Sequence, residues 1–203
     1  MKENLSILPK LRIGFKVFDK NHNVIEERPL QDAHSWVRNA YNTAVGFSTD
    51  PVTAGGTFGD GYVNYKTRAG NITTFITGTP DMSNGYNAGS GVTTYGILVG
   101  TGTDAVTHDD FALQTLITNG SSSGKMDYQA METQSQTWVG GVITVIQGRY
   151  INNNSGDSIT INEVGLVSAN TVLMARDIVS PGVTINDTGQ LLVTYTFTQD
   201  CSP

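Results

Sequence analysis

The stretch of the sequence whose residue types and spacing could do chemistry is a glycine turn that follows an apolar strand. Gly100-Thr101-Gly102-Thr103-Asp104-Ala105 fits the pattern G-x-G-x-x-A and follows the apolar run 92–99. In nucleotide-binding proteins, such a turn lets the backbone approach a pyrophosphate, which the N-terminus of the next helix attracts. Here three aspartates, Asp104, Asp109 and Asp110, place negative charge where the pyrophosphate would lie. No βαβ unit follows, so the pattern favours a structural corner over a nucleotide site.

The same aspartates suggest two other roles. Carboxylates suit Ca²⁺, but the spacing of Asp104, Asp109 and Asp110 does not match the EF-hand loop. We therefore expect them to lie at the start of a short helix, which Thr107 or Asp109 caps. Its buried face would consist of four apolar residues, Phe111, Leu113, Leu116 and Ile117.

The remaining motifs of enzyme chemistry are absent from the sequence. His22, His34 and His108 are far apart and show no zinc-hydrolase spacing, and the sequence has no G-x-S-x-G nucleophile elbow. Carboxylates in an aromatic context, as in glycosidases, are also missing. We therefore predict no catalytic residue, no metal and no cofactor. Four tyrosines, Tyr62, Tyr65, Tyr86 and Tyr95, leave open the alternative that polar loops bind a sugar by stacking.

Composition narrows the class of partner. Only 15% of the 203 residues are charged, the net charge is −6, and no Lys/Arg cluster occurs, which disfavours nucleic-acid binding. Cys201 is the single cysteine, so an intrachain disulfide is excluded. The first residues show no signal-peptide pattern, and no apolar run is long enough to span a membrane. We expect synthesis in the cytoplasm, with any release depending on lysis.

Apolar periodicity predicts a mostly β protein: an antiparallel, jelly-roll-like β-sandwich with one helix in the N-terminal half and one short helix. We expect an N-terminal arm at 1–10 and a single domain at 11–203, with long loops at 48–61 and 78–91. Asp32 or Ser35 would cap the first helix, and Trp36 and Tyr41 would lie on its buried face. Further strands are predicted at 11–19, 24–28, 63–66, 72–77, 92–99, 124–131, 137–150, 158–168, 171–179 and 190–198.

Two strand predictions are specific enough to test. The strand at 137–150 is long and is expected to bend at Gly140-Gly141. A two-residue loop at Ala169-Asn170 would place Glu163 directly opposite Arg176, as a structural ion pair on one face of the sheet.

Several of these segments together resemble virion structural proteins of tailed bacteriophages. The resemblance covers most of the chain and is weakest in the loops at 48–91. Its segments are His34-Ser35-Trp36-Val37-Arg38-Asn39-Ala40-Tyr41-Asn42, 95–102 through Phe111-Ala112-Leu113, 154–166, Leu173-Met174-Ala175-Arg176-Asp177 and 191–197.

The resemblance implies a β-sandwich subunit without catalytic residues, assembled in several copies. We therefore expect a virion protein made in the host cytoplasm: an accessory subunit on the head (decoration or fibre base) or in the neck or tail. Its partners would be capsid, neck or tail subunits and copies of itself, with no nucleic acid and no membrane. The alternative is a module of the tail that binds a host receptor or a surface glycan.

Overall fold

The computed structural model describes residues 8–33, 36–46, 64–74 and 85–201. Within these ranges the chain is mostly β with antiparallel sheets, as the sequence predicts, and it contains one helix. The strands are Lys10–Phe18 (β1), Val24–Asp32 (β2), Asn64–Lys66 (β3), Ile72–Thr74 (β4), Gly96–Gly100 (β5), Asp127–Val139 (β6), Val142–Asn152 (β7), Ile159–Val167 (β8), Leu173–Ile185 (β9) and Gln190–Asp200 (β10).

The largest sheet has five strands in the order β2-β1-β10-β7-β6. Its inner face follows from the period of two along β1, where Leu11, Ile13, Phe15 and Val17 are all buried. The register carries this face across the sheet, since Ile13 lies opposite Tyr195 on β10. The alternation seen in the sequence therefore specifies which side of the sheet faces the core.

A second sheet, β5-β8-β9, shares that core. Polar contacts join the two sheets as well as apolar ones: the Tyr195 hydroxyl donates to Asp177 Oδ2 (3.1 Å), and Arg149 on β7 donates to the Ile97 carbonyl (3.0 Å). β5 is buried along its whole length. The short strands β3 and β4 pair with each other and form a separate two-stranded sheet.

The helix α1, Arg38–Gly46, is the first predicted helix. Val37 and Ala40 are buried, and the Asn39 amide donates to the carbonyls of Lys66 and Leu173. Tyr41 was expected in the core, but it is 40% exposed and packs against the His108 ring. Asp32 lies in β2 and does not cap the helix.

The second predicted helix does not form, so that part of the expected fold is wrong. Residues 101–126 are described throughout and contain turns and isolated bridges. Helical backbone would need its amides for its own carbonyls, whereas the Ile117 amide donates to Val99 on β5 and the Thr115 carbonyl accepts from Thr101. Contacts with the second sheet therefore keep this segment from forming a helix.

The long strand predicted at 137–150 is two strands joined by a tight turn. Gly140 and Gly141 have φ values of 59° and 82°, the conformation of a two-residue hairpin loop. The expected bend is thus a reversal of the chain, after which β7 pairs back along β6.

The predicted register of the β8–β9 hairpin is wrong by two residues. Glu163 lies opposite Ile178 and Arg176 lies opposite Gly165, because a register shift follows Leu166 and the turn is wider than two residues. A shift of two residues keeps every side chain on its own face. Glu163 and Arg176 are therefore diagonal neighbours, and the predicted ion pair is confirmed.

The predicted arm and loops lie mainly outside the described residues. Of the arm at 1–10, the structure describes Leu8, which is buried, Pro9 and Lys10. The loop at 48–61 lies wholly outside, and of the loop at 78–91 only residues 85–91 are described.

Candidate functional site

The glycine corner after β5 binds an anion, and that anion is the carboxylate of Glu163. Oε1 of Glu163 accepts the amides of Gly102 (3.2 Å) and Thr115 (2.7 Å), and Oε2 accepts the amide of Gln114 (3.0 Å). Three backbone donors on one carboxylate form the kind of cradle that also binds phosphate. Here the cradle is filled by a side chain of the same protein, so the corner is structural, as predicted.

The two glycines are required by this close approach. A Cβ on Gly100 would lie 2.5 Å from Glu163 Oε1 and 2.5 Å from the Thr115 carbonyl oxygen. A Cβ on Gly102 would lie 2.6 Å from the same Oε1. The two glycines thus let two backbone segments, at Gly102 and at Gln114-Thr115, lie close to the Glu163 carboxylate.

Arg176 completes the charge balance beneath the corner. Its Nε donates to Glu163 Oε2 (2.8 Å), Nη1 to Asp110 Oδ2 (2.8 Å) and Nη2 to the Asp104 carbonyl (3.1 Å). Desolvation acts to lower the pKa of Arg176, but the hydrogen bonds that its guanidinium donates to Asp110 and Glu163 outweigh this effect, and the net pKa is raised. Since Arg176 is 3% and Glu163 0% exposed, this is a buried, fully hydrogen-bonded pair.

The three aspartates of the corner are engaged separately. The Asp104 side chain accepts from the Gln114 amide, Asp109 pairs with Arg38 at 2.5 Å, and Asp110 pairs with Arg176. The Arg38 hydrogen bond lowers the pKa of Asp109. Among the residues that the structure describes, no group of three or more His, Cys, Asp or Glu side chains could hold a metal ion.

Arg149 is a buried cation that the sequence analysis missed. It is 0% exposed and donates to four backbone carbonyls, those of Gln129, Ile97, Gly89 and Val92, at 2.7–3.0 Å. Its guanidinium carbon lies 4.8 Å from the centroid of the Tyr128 ring, and desolvation lowers its pKa to about 10.

In the part of the chain that is described, no carboxylate contacts this guanidinium. Arg149 therefore joins β7 to β5 and to the segment before β5. The available signal was an arginine on the inward period of β7, two residues before the apolar Ile151.

The tyrosines considered for sugar stacking are used in packing where they are described. Tyr65 is 8% exposed, Tyr86 stacks on Phe197 with ring centroids 5.9 Å apart, and Tyr95 packs against the core. Tyr62 lies outside the described residues, as does His34. His22 lies in the β1–β2 turn.

Within the described ranges of the chain, the large apolar side chains with the highest exposed fractions lie at the tip of the β6–β7 hairpin. Trp138 is 68% exposed and Val139 is 73% exposed, beside the Gly140-Gly141 turn. Cys201 is also exposed, and its amide donates to the Gly141 carbonyl (2.9 Å), so the cysteine lies at the same tip. The glycine pair between two β-rich runs was the sequence signal for this hairpin.

Comparison with known proteins gives no relative: no family model, no curated protein and no solved structure matches the chain. Across the described residues, no helix is long and apolar enough to cross a membrane.

Proposed function

We propose that the chain is a non-enzymatic structural subunit of a tailed-phage particle, acting through protein–protein contacts. It would be an accessory subunit on the head, as a decoration protein or fibre base, or in the neck or tail. Its partners would be other virion subunits and copies of itself. The observation that carries the proposal is the hairpin tip, where Trp138 and Val139 are exposed on a long strand at the edge of the larger sheet.

An exposed sheet edge with large apolar side chains is a ready template for another chain, and monomeric proteins usually protect such edges. The tip carries little charge, since the run from Thr133 to Val139 contains no Asp, Glu, Lys or Arg. Surfaces that become buried in stable assemblies are depleted in charge and enriched in aromatic residues. These features fit a subunit that is covered by neighbours in its working state.

The buried charges have structural partners. Glu163 and Arg176 bind each other and backbone groups, and Arg149 binds four carbonyls. Asp177 accepts from Tyr195. Because these charges are hydrogen-bonded within the fold, we assign the chain an architectural role.

The finer fold that we infer is a β-sandwich of jelly-roll-like type. Two antiparallel sheets contribute to one core, and the first and last strands, β1 and β10, lie side by side. The chain passes from one sheet to the other between β5 and β6, between β7 and β8 and between β9 and β10. Repeated crossing of this kind is typical of Greek-key sandwiches.

We prefer assembly to the alternative of a receptor-binding or glycan-binding module. Tyr65, Tyr86 and Tyr95 are packed within the protein, so their ring faces do not form an open stacking surface. A glycan module would need such a surface from residues outside this set.

The test is to find the chain in the particle. Particles of the phage that encodes it would be purified on a gradient and analysed by mass spectrometry. We expect a fixed ratio of this chain to the major capsid protein across the particle fractions, with an abundant host protein as the carry-over control. Cryo-electron microscopy would then show its position. A chain that is abundant in the lysate and absent from purified particles would contradict the proposal.

A further inference from the structure

The outer half of β6 differs from its inner half in what covers it. Along the inner half, the Tyr128 carbonyl accepts from Gly91, the Met131 amide donates to Ala88, and the Gln129 carbonyl accepts from Arg149. From Glu132 to Val139, the only backbone partner of β6 in the described chain is β7 on its other side. Every residue of this outer half except Ser135 is exposed, and Ser135 is half-buried.

The last five residues of β6 form a regular ladder. From Ser135 to Val139, each residue pairs in step with β7, after a register shift between Thr133 and Ser135. This run, Ser-Gln-Thr-Trp-Val, has no charge and no proline, and we call it the open edge. Five residues is about the mean length of a strand in globular proteins, so the open edge can accept one full strand.

The opposite edge of the same sheet is protected. β2 contains Pro29 and carries Glu26, Glu27, Arg28 and Asp32. Its Arg28 guanidinium also donates to the carbonyls of Pro181 and Gly182 on β9. Proline, charges and bulges are the devices that prevent edge-to-edge pairing, so β2 is closed to a further strand.

We propose that the open edge pairs with the open edge of a second copy of this chain, antiparallel across a two-fold axis at Thr137. This deepens the proposed assembly function and rests on it. Ser135 of each copy lies opposite Val139 of the other, and Gln136 lies opposite Trp138. The result is one continuous ten-stranded sheet.

The uncharged sequence of the open edge is compatible with a second copy as the occupant. Each chain carries a net charge of −6, so two copies approach best where charge is absent. The nearest acid on the strand, Glu132, lies five residues from the axis. At about 3.4 Å per residue, the two Glu132 side chains are separated by about 34 Å along the strands, several Debye lengths at physiological salt. The pairing therefore brings no like charges together.

A substitution at the axis tests the pairing. Thr137→Lys places two lysines opposite each other, which disfavours association, while Thr137→Val keeps a β-branched, uncharged residue. Sedimentation of the wild-type protein up to about 200 µM would show a dimer of the 21.7 kDa chain, with Thr137→Val unchanged. For Thr137→Lys we expect the dissociation constant to rise at least about tenfold, and part of that loss to be restored at high salt.

The matched control is Gln31→Lys, which adds the same charge to the exposed, protected edge β2. It is expected to leave the dissociation constant within about twofold of wild type. A wild-type protein that sediments as a monomer, or a dimer that Gln31→Lys weakens as much as Thr137→Lys does, would overturn the inference.

The single cysteine gives an independent geometric test. Cys201 lies at the hairpin tip, and a spin label on it reports one distance per dimer. With strands about 4.8 Å apart and about 3.4 Å of rise per residue, the proposed pairing places the two Cys201 residues five strand spacings and six residues apart, a distance of about 31 Å. We expect a peak there that Thr137→Lys removes. A dimer with a single distance above about 50 Å would use another surface and would overturn the pairing.

These outcomes separate the pairing from the function. The chain could be present in particles and yet be monomeric when pure, with its open edge protected from hydrogen exchange only in the particle. In that case the partner of the open edge is a different virion protein. That result refutes the self-pairing and leaves the proposed function standing. A chain that pairs through the open edge but is absent from particles refutes the function instead.

Discussion

Glu163 is the residue on which the glycine corner depends. Its carboxylate accepts three backbone amides and the Arg176 guanidinium, and it is fully buried. A buried ion pair of this kind contributes little net energy when intact, because desolvation offsets the attraction. Removing one partner is costly, because the other charge stays buried without compensation.

We expect Glu163→Gln to lower the free energy of unfolding by about 3 kcal/mol or more. The amide of glutamine keeps the shape but leaves Arg176 short of a counter-charge, and its NH₂ group faces backbone donors. Urea unfolding measures the change. The control is Glu27→Gln, which breaks an exposed pair with Lys16 and should cost less than about 1 kcal/mol. Equal costs for the two variants would show that the buried pair has no special role.

Gly100 tests the close approach at the same corner. Gly100→Ala places a Cβ 2.5 Å from a backbone carbonyl oxygen and should lower the free energy of unfolding by about 2 kcal/mol or more, because backbone cannot move aside easily. Gly89→Ala is the matched control, since its Cβ would meet nothing closer than 3.9 Å. That variant should stay within about 1 kcal/mol of wild type. Thermal or urea unfolding measures the free energy of unfolding of both variants. A Gly100→Ala variant as stable as the wild type would contradict the close packing at this corner.

At the scale of elements, the β6–β7 hairpin depends on its turn. Gly140 has φ of 59°, and no atom lies within 4 Å of the position that a Cβ would take, so backbone conformation alone decides which residues are tolerated. A β-branched residue adopts this conformation poorly, whereas asparagine adopts it readily.

Gly140→Val is therefore expected to lower the free energy of unfolding by about 1–2 kcal/mol, and Gly140→Asn by less than about half of that. Unfolding in urea, with hydrogen exchange along β6 and β7, checks both the energy and its location. Equal effects of valine and asparagine would argue against a two-residue turn with positive φ.

At the scale of the whole molecule, four buried tyrosines link stability to alkaline pH. Burial raises the pKa of Tyr65 to about 12 and raises the pKa values of Tyr86, Tyr128 and Tyr195 above the ordinary value. The unfolded chain releases these protons near pH 10 and the folded protein does not. The contribution of these tyrosines to the free energy of unfolding is complete below pH 10. It is lost as the pH rises through their folded-state pKa values.

Arg149 acts in the opposite direction, because desolvation lowers its folded-state pKa to about 10, below the value in the unfolded chain. Four tyrosines outweigh this one group, so we expect the free energy of unfolding to fall above pH 10. Tyrosinate absorbance should titrate in two steps, the later one coinciding with unfolding by circular dichroism. The Tyr195→Phe variant should lose less stability over that range. A single tyrosinate step near pH 10 in a folded protein would contradict the burial.

The sequence by itself determined several local features: the strands β1, β2 and β10 of the larger sheet, the first helix and the facing of Glu163 and Arg176. Each follows from a period of two or 3.6, or from a turn residue, which a chain carries locally. The register of β8 and β9 was missed by two residues, because a bulge leaves no local pattern while keeping every side chain on its face.

Only the tertiary structure decided what fills the glycine corner, why residues 101–126 form no helix and where Arg149 donates. In each case a polar group could form a hydrogen bond either with a neighbour in the sequence or with a distant residue. The choice depends on which distant group the packed sheets bring within hydrogen-bonding distance: Glu163 for the amides of Gln114 and Thr115, and Val99 for Ile117. Sequence periodicity carries no information about that distance.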